Sequence, residues 1–328
     1  MSKPLVLCSY LDRSAGRWNG VTDFFVNIFE KRFKIIWMDD FEQDVAKYAK
    51  DVVAIASFIK RPPVTEELIK KLPNLKIVAN IGVGYNHLDV PMIRSFGVKV
   101  SNTPLVLDDA TSDLGMALLL NAGRQLHSNI TLLRSPETTQ IDTNYMTNDV
   151  SGTTIGILGM GRIGYKVAQR AKAFNMKILY HNRSRRDEGE EANIGAQYYS
   201  NLNEMLPHCD YVMVTLPLTA ETQKIMGSAQ FKLMKSTAIL VNISRGGTVD
   251  QDALVHALTH GEIQFAALDV TEPEPLPRDH KLLSLENVII TPHMGSGTLN
   301  TRIAMAQKAF DNVVAAVDGT ALPSEVFK

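Results

Sequence analysis

Apolar positions along this chain fall into two series, each alternating short strand-like runs with helix-spaced stretches. In the first, over residues 1–103, the strand candidates are Leu5–Ser9, Lys34–Met38, Val52–Ser57, Leu75–Asn80 and Val98–Ser101. Between them, Val21–Lys31, Val64–Lys71 and Val90–Phe96 carry apolar residues at helical spacing. Apolar strands alternating with amphipathic helices predict a parallel sheet covered on both faces. Asn102-Thr103-Pro104 breaks the pattern, and Asp108 to Leu126 then reads as one long helix with a domain crossing at its start. Ser128–Asp149 is polar and reads as irregular. A second series follows: Thr153–Leu158, Met176–Tyr180, Tyr211–Leu216, Ala238–Ile243, Phe265–Asp269 and Val288–Thr291. Six such strands with helices between them predict a second doubly wound sheet. A last helix is expected from about Thr298 to Val317.

Composition narrows the classes. The chain has 328 residues, 45% of them hydrophobic, enough for two domains with separate cores. A formal net charge of −1 argues against nucleic acid or an anionic membrane surface as a partner. No apolar run approaches the ~20 residues that a bilayer requires. Met1-Ser2-Lys3-Pro4 runs directly into a strand pattern without a signal-peptide layout. Cys8 and Cys209 sit at strand-like positions outside any metal or redox motif, so buried thiols in a reducing, cytoplasmic compartment are expected.

The stretch Thr153 to Gly164 changes the picture most. A β-branched run feeds a G-x-G-x-x-G turn at Gly159, Gly161 and Gly164, and a helical pattern with Val167, Ala168 and Ala171 follows. That context marks a dinucleotide site: a tight turn, a close backbone approach to pyrophosphate, and a helix N-terminus aimed at the phosphates. An NAD site of this type carries an acidic residue about 20 positions further on. Here the second strand ends in Tyr180-His181-Asn182-Arg183-Ser184-Arg185, and no carboxylate appears before Asp187. Arginines and a hydroxyl can bind a 2′-phosphate that an aspartate would repel. NADP(H) is therefore the preferred cofactor, with NAD(H) possible.

Polar segments at the expected carboxyl ends of strands are the candidate chemistry. They are Asn80–Asp89 with Val83 and Gly84, Asn242–Gly247 with Arg245, Asp269–Pro277 with Glu274, and Thr291–Ser296 with His293. An arginine could clamp a carboxylate, a histidine could protonate a carbonyl oxygen, and a glutamate could hold that histidine charged. Spacing alone leaves each a structural reading too: a surface ion pair for Arg245, a solvated Glu274, a capping His293, a plain turn at Gly82–Gly84. His256 and His260 stand at metal-ligand spacing, but no H-E-x-x-H accompanies them, and no metal is expected.

These segments, with Leu216-Pro217-Leu218-Thr219 and the closing Leu322-Pro323-Ser324-Glu325, resemble the D-2-hydroxyacid dehydrogenase family over nearly the whole chain. Within it the match is closest to the glyoxylate/hydroxypyruvate reductases. The resemblance implies two Rossmann-like or flavodoxin-like doubly wound domains with the active site in the cleft between them. The outer, substrate-binding domain would be 1–107 plus 299–328, and the dinucleotide domain 108–298. By the same resemblance, Arg245, Glu274 and His293 would be catalytic, His293 giving the proton while Glu274 keeps it charged. Val83, Gly84 and Ser296 would join Arg245 and His293 around a small 2-oxo or 2-hydroxy acid. Arg162, Ile163, Asn182, Leu216, Pro217, Ile243, Asp269 and Gly295 would line the cofactor with the three glycines. The implied activity is NADPH-dependent reduction of glyoxylate and hydroxypyruvate by a homodimer. A D-lactate-type dehydrogenase and a nucleotide-sensing corepressor are the alternatives. Family members often carry a Gly-x-Trp element after the long helix, and Arg134–Ile141 holds no tryptophan.

Overall fold

Most strands form where the apolar runs lie, and Leu5–Cys8, Ile77–Asn80, Tyr211–Val214, Ile239–Asn242 and Phe265–Leu268 are buried along their whole length, as strands sandwiched between helices must be. The computed structural model describes residues 3–8, 19–58, 62–140 and 146–327. Ser9, Ile141 and part of the 128–149 stretch lie outside the described residues. The chain divides into two compact units, Met1–Leu107 with Ser296–Lys328, and Asp108–Gly295. The return to the first unit thus falls at Ser296, slightly ahead of residue 299.

The first unit holds β1 (Leu5–Cys8), β2 (Lys34–Trp37), β3 (Val52–Ser57), β4 (Ile77–Asn80) and β5 (Lys99–Ser101). They pair in parallel in the order β2-β1-β3-β4-β5, a flavodoxin-like doubly wound sheet. Helix Leu299–Asp318, N-capped by Thr298, packs on helix Asn19–Phe29, where Phe29 and Phe310 meet edge-on at 5.4 Å. Two short helices, Met38–Gln43 and Val45–Tyr48, were not anticipated in the polar stretch after β2.

The second unit holds β6 (Thr154–Leu158), β7 (Lys177–His181), β8 (Ala196–Tyr199), β9 (Tyr211–Val214), β10 (Ile239–Asn242), β11 (Phe265–Leu268) and β12 (Val288–Ile290). Its parallel order is β12-β11-β10-β9-β6-β7-β8, a seven-stranded sheet rather than the six strands expected. The additional strand, β8, is an edge strand that among the described residues pairs with β7 alone; Ala-Gln-Tyr-Tyr is half-exposed and has no apolar run to betray it. The long helix also ends earlier than expected, at Gly123. Gln125 takes a left-handed conformation (φ 47°), and a new helix, Leu126–Arg134, starts at the expected end of the long helix and runs into the stretch read as irregular. Cys8 and Cys209 are unpaired and buried, and burial pushes the Cys209 thiol up to about 12. Among the described residues, no helix is long and apolar enough to cross a membrane.

Candidate active site

In the second unit the glycine-rich turn joins β6 to helix Arg162–Ala173. Gly159 sits at φ 100°, and a Cβ on Gly164 would lie 2.2 Å from the Gly159 carbonyl oxygen, so the helix can approach its strand only with glycine there. A Cβ on Gly161 would meet nothing within 4 Å, which leaves open space beside the helix N-terminus. Asn182 and Arg186 brace the turn from the next strand: Met160 N–H donates to Asn182 Oδ1 at 2.6 Å, and Arg186 Nη1 donates to the Met160 carbonyl at 2.7 Å. Arg162, the first residue of the helix, donates from Nε to Asp108 at 3.0 Å, and Ile163 follows it, partly buried against the core. Leu216 and Pro217 leave the end of β9, where the Leu216 backbone closes over Gly159.

The basic stretch after β7 divides. Arg183 and Ser184 are exposed. Arg185 instead forks onto Glu191 at 2.6 to 3.1 Å, a carboxylate that also accepts from the Tyr180 hydroxyl. Its charge is already matched, and that hydrogen bond to Glu191 raises its pKa. Asp187 is occupied as the N-cap of helix Glu188–Ile194, accepting from Gly189 N–H at 2.8 Å.

The three polar segments follow β10, β11 and β12. After β10, Ile243 is buried beneath the helix Asp108–Gly123, and a small network fixes the next backbone. Asn242 Nδ2 and Thr248 Oγ1 donate to the Arg245 carbonyl at 3.0 and 2.7 Å, while Ser244 donates to Asn242 Oδ1. Burial lowers the Arg245 pKa, and the nearby Glu274 charge opposes that. A Cβ on Gly246 would lie 2.1 Å from the Thr271 backbone, so the segment bearing Arg245 packs directly on the one that leads to Glu274. Glu274 accepts from Thr271 N–H at 3.1 Å through one oxygen and faces His293 Nδ1 at 3.1 Å through the other.

His293 has a left-handed backbone (φ 51°), costly for a histidine unless its surroundings enforce it. Asp269 does so. Its buried carboxylate accepts from Thr291 Oγ1 at 2.6 Å and from Met294 and Gly295 N–H at 2.8 Å each, and its carbonyl accepts His293 N–H at 2.9 Å. Burial raises the Asp269 pKa, against the pull of those donors. The remaining candidates belong to the first unit. Val83 and Gly84 lie in the turn after β4, and Ser296 opens the returning segment.

Comparison with known proteins then decides the family. The model of the D-isomer specific 2-hydroxyacid dehydrogenase NAD-binding domain matches residues 116–295, within the second unit. The chain belongs to the D-2-hydroxyacid dehydrogenase family. This dehydrogenase is 40% identical over 312 residues to a glyoxylate reductase of Pyrococcus furiosus, covering 92% of each chain. It is 43% identical over 265 residues to a glyoxylate reductase of Aeropyrum pernix, covering 79% of this chain and 78% of that one. Among solved structures, an NADPH-dependent glyoxylate/hydroxypyruvate reductase of Sinorhizobium meliloti, in complex with NADP and malonate, superimposes with a TM-score of 0.87 at 32% identity. That likeness covers 99% of this dehydrogenase and 97% of the other.

Structure also exposes participants that the sequence reading passed over. Asn242, Thr248 and Thr271 hold the Arg245 and Glu274 segments, and Arg186 and Asp108 hold the glycine turn. Buried polar residues at the end of an otherwise apolar strand were the available signal for Asn242. His256 and His260 stack at 4.0 Å, and His256 faces Glu262 at 3.6 Å. Among the described residues, no group of three or more His, Cys, Asp or Glu is placed to hold a metal ion.

Proposed function

We propose that this dehydrogenase reduces glyoxylate to glycolate and hydroxypyruvate to D-glycerate, with NADPH as the preferred cofactor. The observation that carries the reading is the Glu274–His293 contact at 3.1 Å, in the segment against which the backbone after Arg245 is packed. The names of the relatives point to the same substrates. The residues also fit a dinucleotide: the open space at Gly161 adjoins the N-terminus of a 12-residue helix, where unpaired N–H groups favour phosphate. Arg162 would reach the pyrophosphate, and the bound nicotinamide would supply the hydride.

Arg245 holds the substrate carboxylate, with Val83 and Gly84 offering backbone N–H groups and Ser296 lining the pocket. With Nδ1 of His293 engaged by Glu274, Nε2 is the nitrogen that donates a proton to the carbonyl oxygen as negative charge builds there. Asp269 serves this step by keeping the His293 turn in its costly conformation.

Exposed Arg183 and Ser184 support NADPH, with Asp187 committed to a helix cap and Arg185 to Glu191. A homodimer and a cytoplasmic setting belong to the same proposal. Helix Leu126–Arg134 buries none of its residues and exposes Leu126, Ile130, Leu132 and Leu133, an apolar face that a second copy would cover. Sedimentation at micromolar concentration checks this, and a monomer overturns it.

The function is tested by oxidising NADPH and NADH, side by side, against hydroxypyruvate, glyoxylate and pyruvate. Fast NADPH turnover with the first two is expected. Preference for NADH with pyruvate overturns the cofactor and substrate assignments together, and no turnover with any pair favours a nucleotide sensor.

A further inference from the structure

The closing motif Leu322–Glu325 has no part in the chemistry above, yet in the first unit it is built into the sheet. Glu325 bridges Ser101 in antiparallel fashion, Val326 N–H donates to the Val100 carbonyl at 2.8 Å, and Arg94 pairs with Glu325 at 2.9 Å. The segment therefore pairs along the edge strand β5. From there a chain of side-chain hydrogen bonds runs inward. Asn312, fully buried in helix Leu299–Asp318, accepts Ser324 N–H at 3.0 Å and donates to Ser324 Oγ at 2.9 Å. Ser324 Oγ donates to the Asn102 carbonyl at 2.6 Å, and Asn102 Nδ2 donates to the Val83 carbonyl at 2.9 Å.

The turn after β4 is held at three successive carbonyls, those of Gly82, Val83 and Gly84. Asn80 Nδ2 donates to the carbonyls of Gly82 at 2.9 Å and Gly84 at 3.2 Å, and Thr103 N–H donates to Gly82 at 3.0 Å. A trans peptide is planar, so its N–H points away from its own C=O. Pinning the Gly82 carbonyl turns the Val83 N–H outward, and pinning the Val83 carbonyl turns the Gly84 N–H outward. Neither N–H has an acceptor among the described residues. Both lie on the turn to which the preceding section assigns the substrate carboxylate.

We infer that Ser324 and Asn312 are positioning residues for that turn: through Asn102 they fix the Val83 carbonyl and so aim the Gly84 N–H at the substrate carboxylate. This rests on the reading of Val83 and Gly84 as carboxylate donors. Neither positioning residue touches substrate, so their loss acts on substrate affinity and leaves hydride transfer intact.

The test combines glyoxylate kinetics with amide spectra of the ¹⁵N-labelled, NADP-loaded enzyme titrated with oxalate, a carboxylate probe. Wild-type Val83 and Gly84 resonances should shift. Ser324→Ala should raise the glyoxylate KM and weaken oxalate about tenfold, the scale of one well-placed hydrogen bond. Its kcat should change less than about twofold, NADPH affinity should hold, and Ser324→Thr, which keeps the hydroxyl, should restore KM. Asn102→Ala breaks the same chain without disturbing the closing segment and should show the same KM-only loss, deciding the matter if Ser324→Ala folds poorly. Wild-type KM and oxalate affinity in both variants, or a fall in kcat at constant KM, overturns the inference alone. Static Val83 and Gly84 resonances in the wild type overturn the carboxylate reading, and this inference with it.

Discussion

Two glycine turns, one in each unit, solve the problem of presenting backbone N–H groups in different ways. The Gly159–Gly164 turn is shaped by what its glycines lack: a Cβ on Gly164 would strike the Gly159 carbonyl at 2.2 Å. The Gly82–Gly84 turn is shaped by what others donate to it, from Asn80, Asn102 and Thr103. A Cβ on Gly82 would come no closer than 3.5 Å to anything. The first turn can therefore be recognised in its own six residues, although Asn182 and Arg186 brace it, while the second depends on residues as distant as Asn312 and Ser324. A local motif can reveal the one. The other becomes visible only when the chain has folded.

The contrast can be pressed by mutation. The largest effect should come from His293→Ala, which removes the proposed proton donor: kcat should fall about 10²- to 10⁴-fold, while changes at the first unit's turn should act on KM. A kcat within tenfold of wild type would assign the proton to another group. Gly164→Ala should cost about 1–3 kcal/mol in chemical denaturation, since the backbone must shift to admit the methyl, and NADPH binding should weaken with it. Arg183→Gln should raise the KM for NADPH about tenfold and leave that for NADH unchanged, through loss of a charged hydrogen bond. Arg185→Gln should leave the NADPH/NADH ratio alone, because its partner is Glu191; a changed ratio would return Arg185 to the cofactor site. The smallest effect should come from Gly82→Ala, whose stability should stay within about 0.5 kcal/mol of wild type, as for a change that meets only ordinary contacts. A loss like that of Gly164→Ala would erase the distinction between the turns.

Elements with strong periodicity could be read directly. Val52–Ser57 is a strand at the bounds its β-branched run implies, and Thr298 caps the last helix where the apolar spacing starts. Elements shaped by context escaped. β8 owes its pairing to β7 rather than to its own half-exposed residues. The break at Gln125 comes in a stretch whose apolar spacing continues across it into Leu126. In the site, Arg245, Glu274 and His293 could be picked out as polar candidates at strand ends, but their spacing allowed structural roles too, and only the family resemblance implied catalytic ones. Which cation is already paired could not be read, because Arg185 and Glu191 meet only once helix Glu188–Ile194 has formed.

The interleaving of the two units also bears on how the protein is made. Residues 108–295 form one uninterrupted unit, whereas the unit begun by residues 1–107 waits for residues 296–327 to supply its packed helix and the segment along β5. During synthesis, at roughly 5–20 residues per second, the second unit can fold as a whole while the earlier one still exposes an open sheet edge and an uncovered apolar face. A later stretch of the chain thus completes a unit that an earlier stretch began. A fragment ending at residue 295 should therefore be protected from protease over 108–295 and cleaved within 1–107.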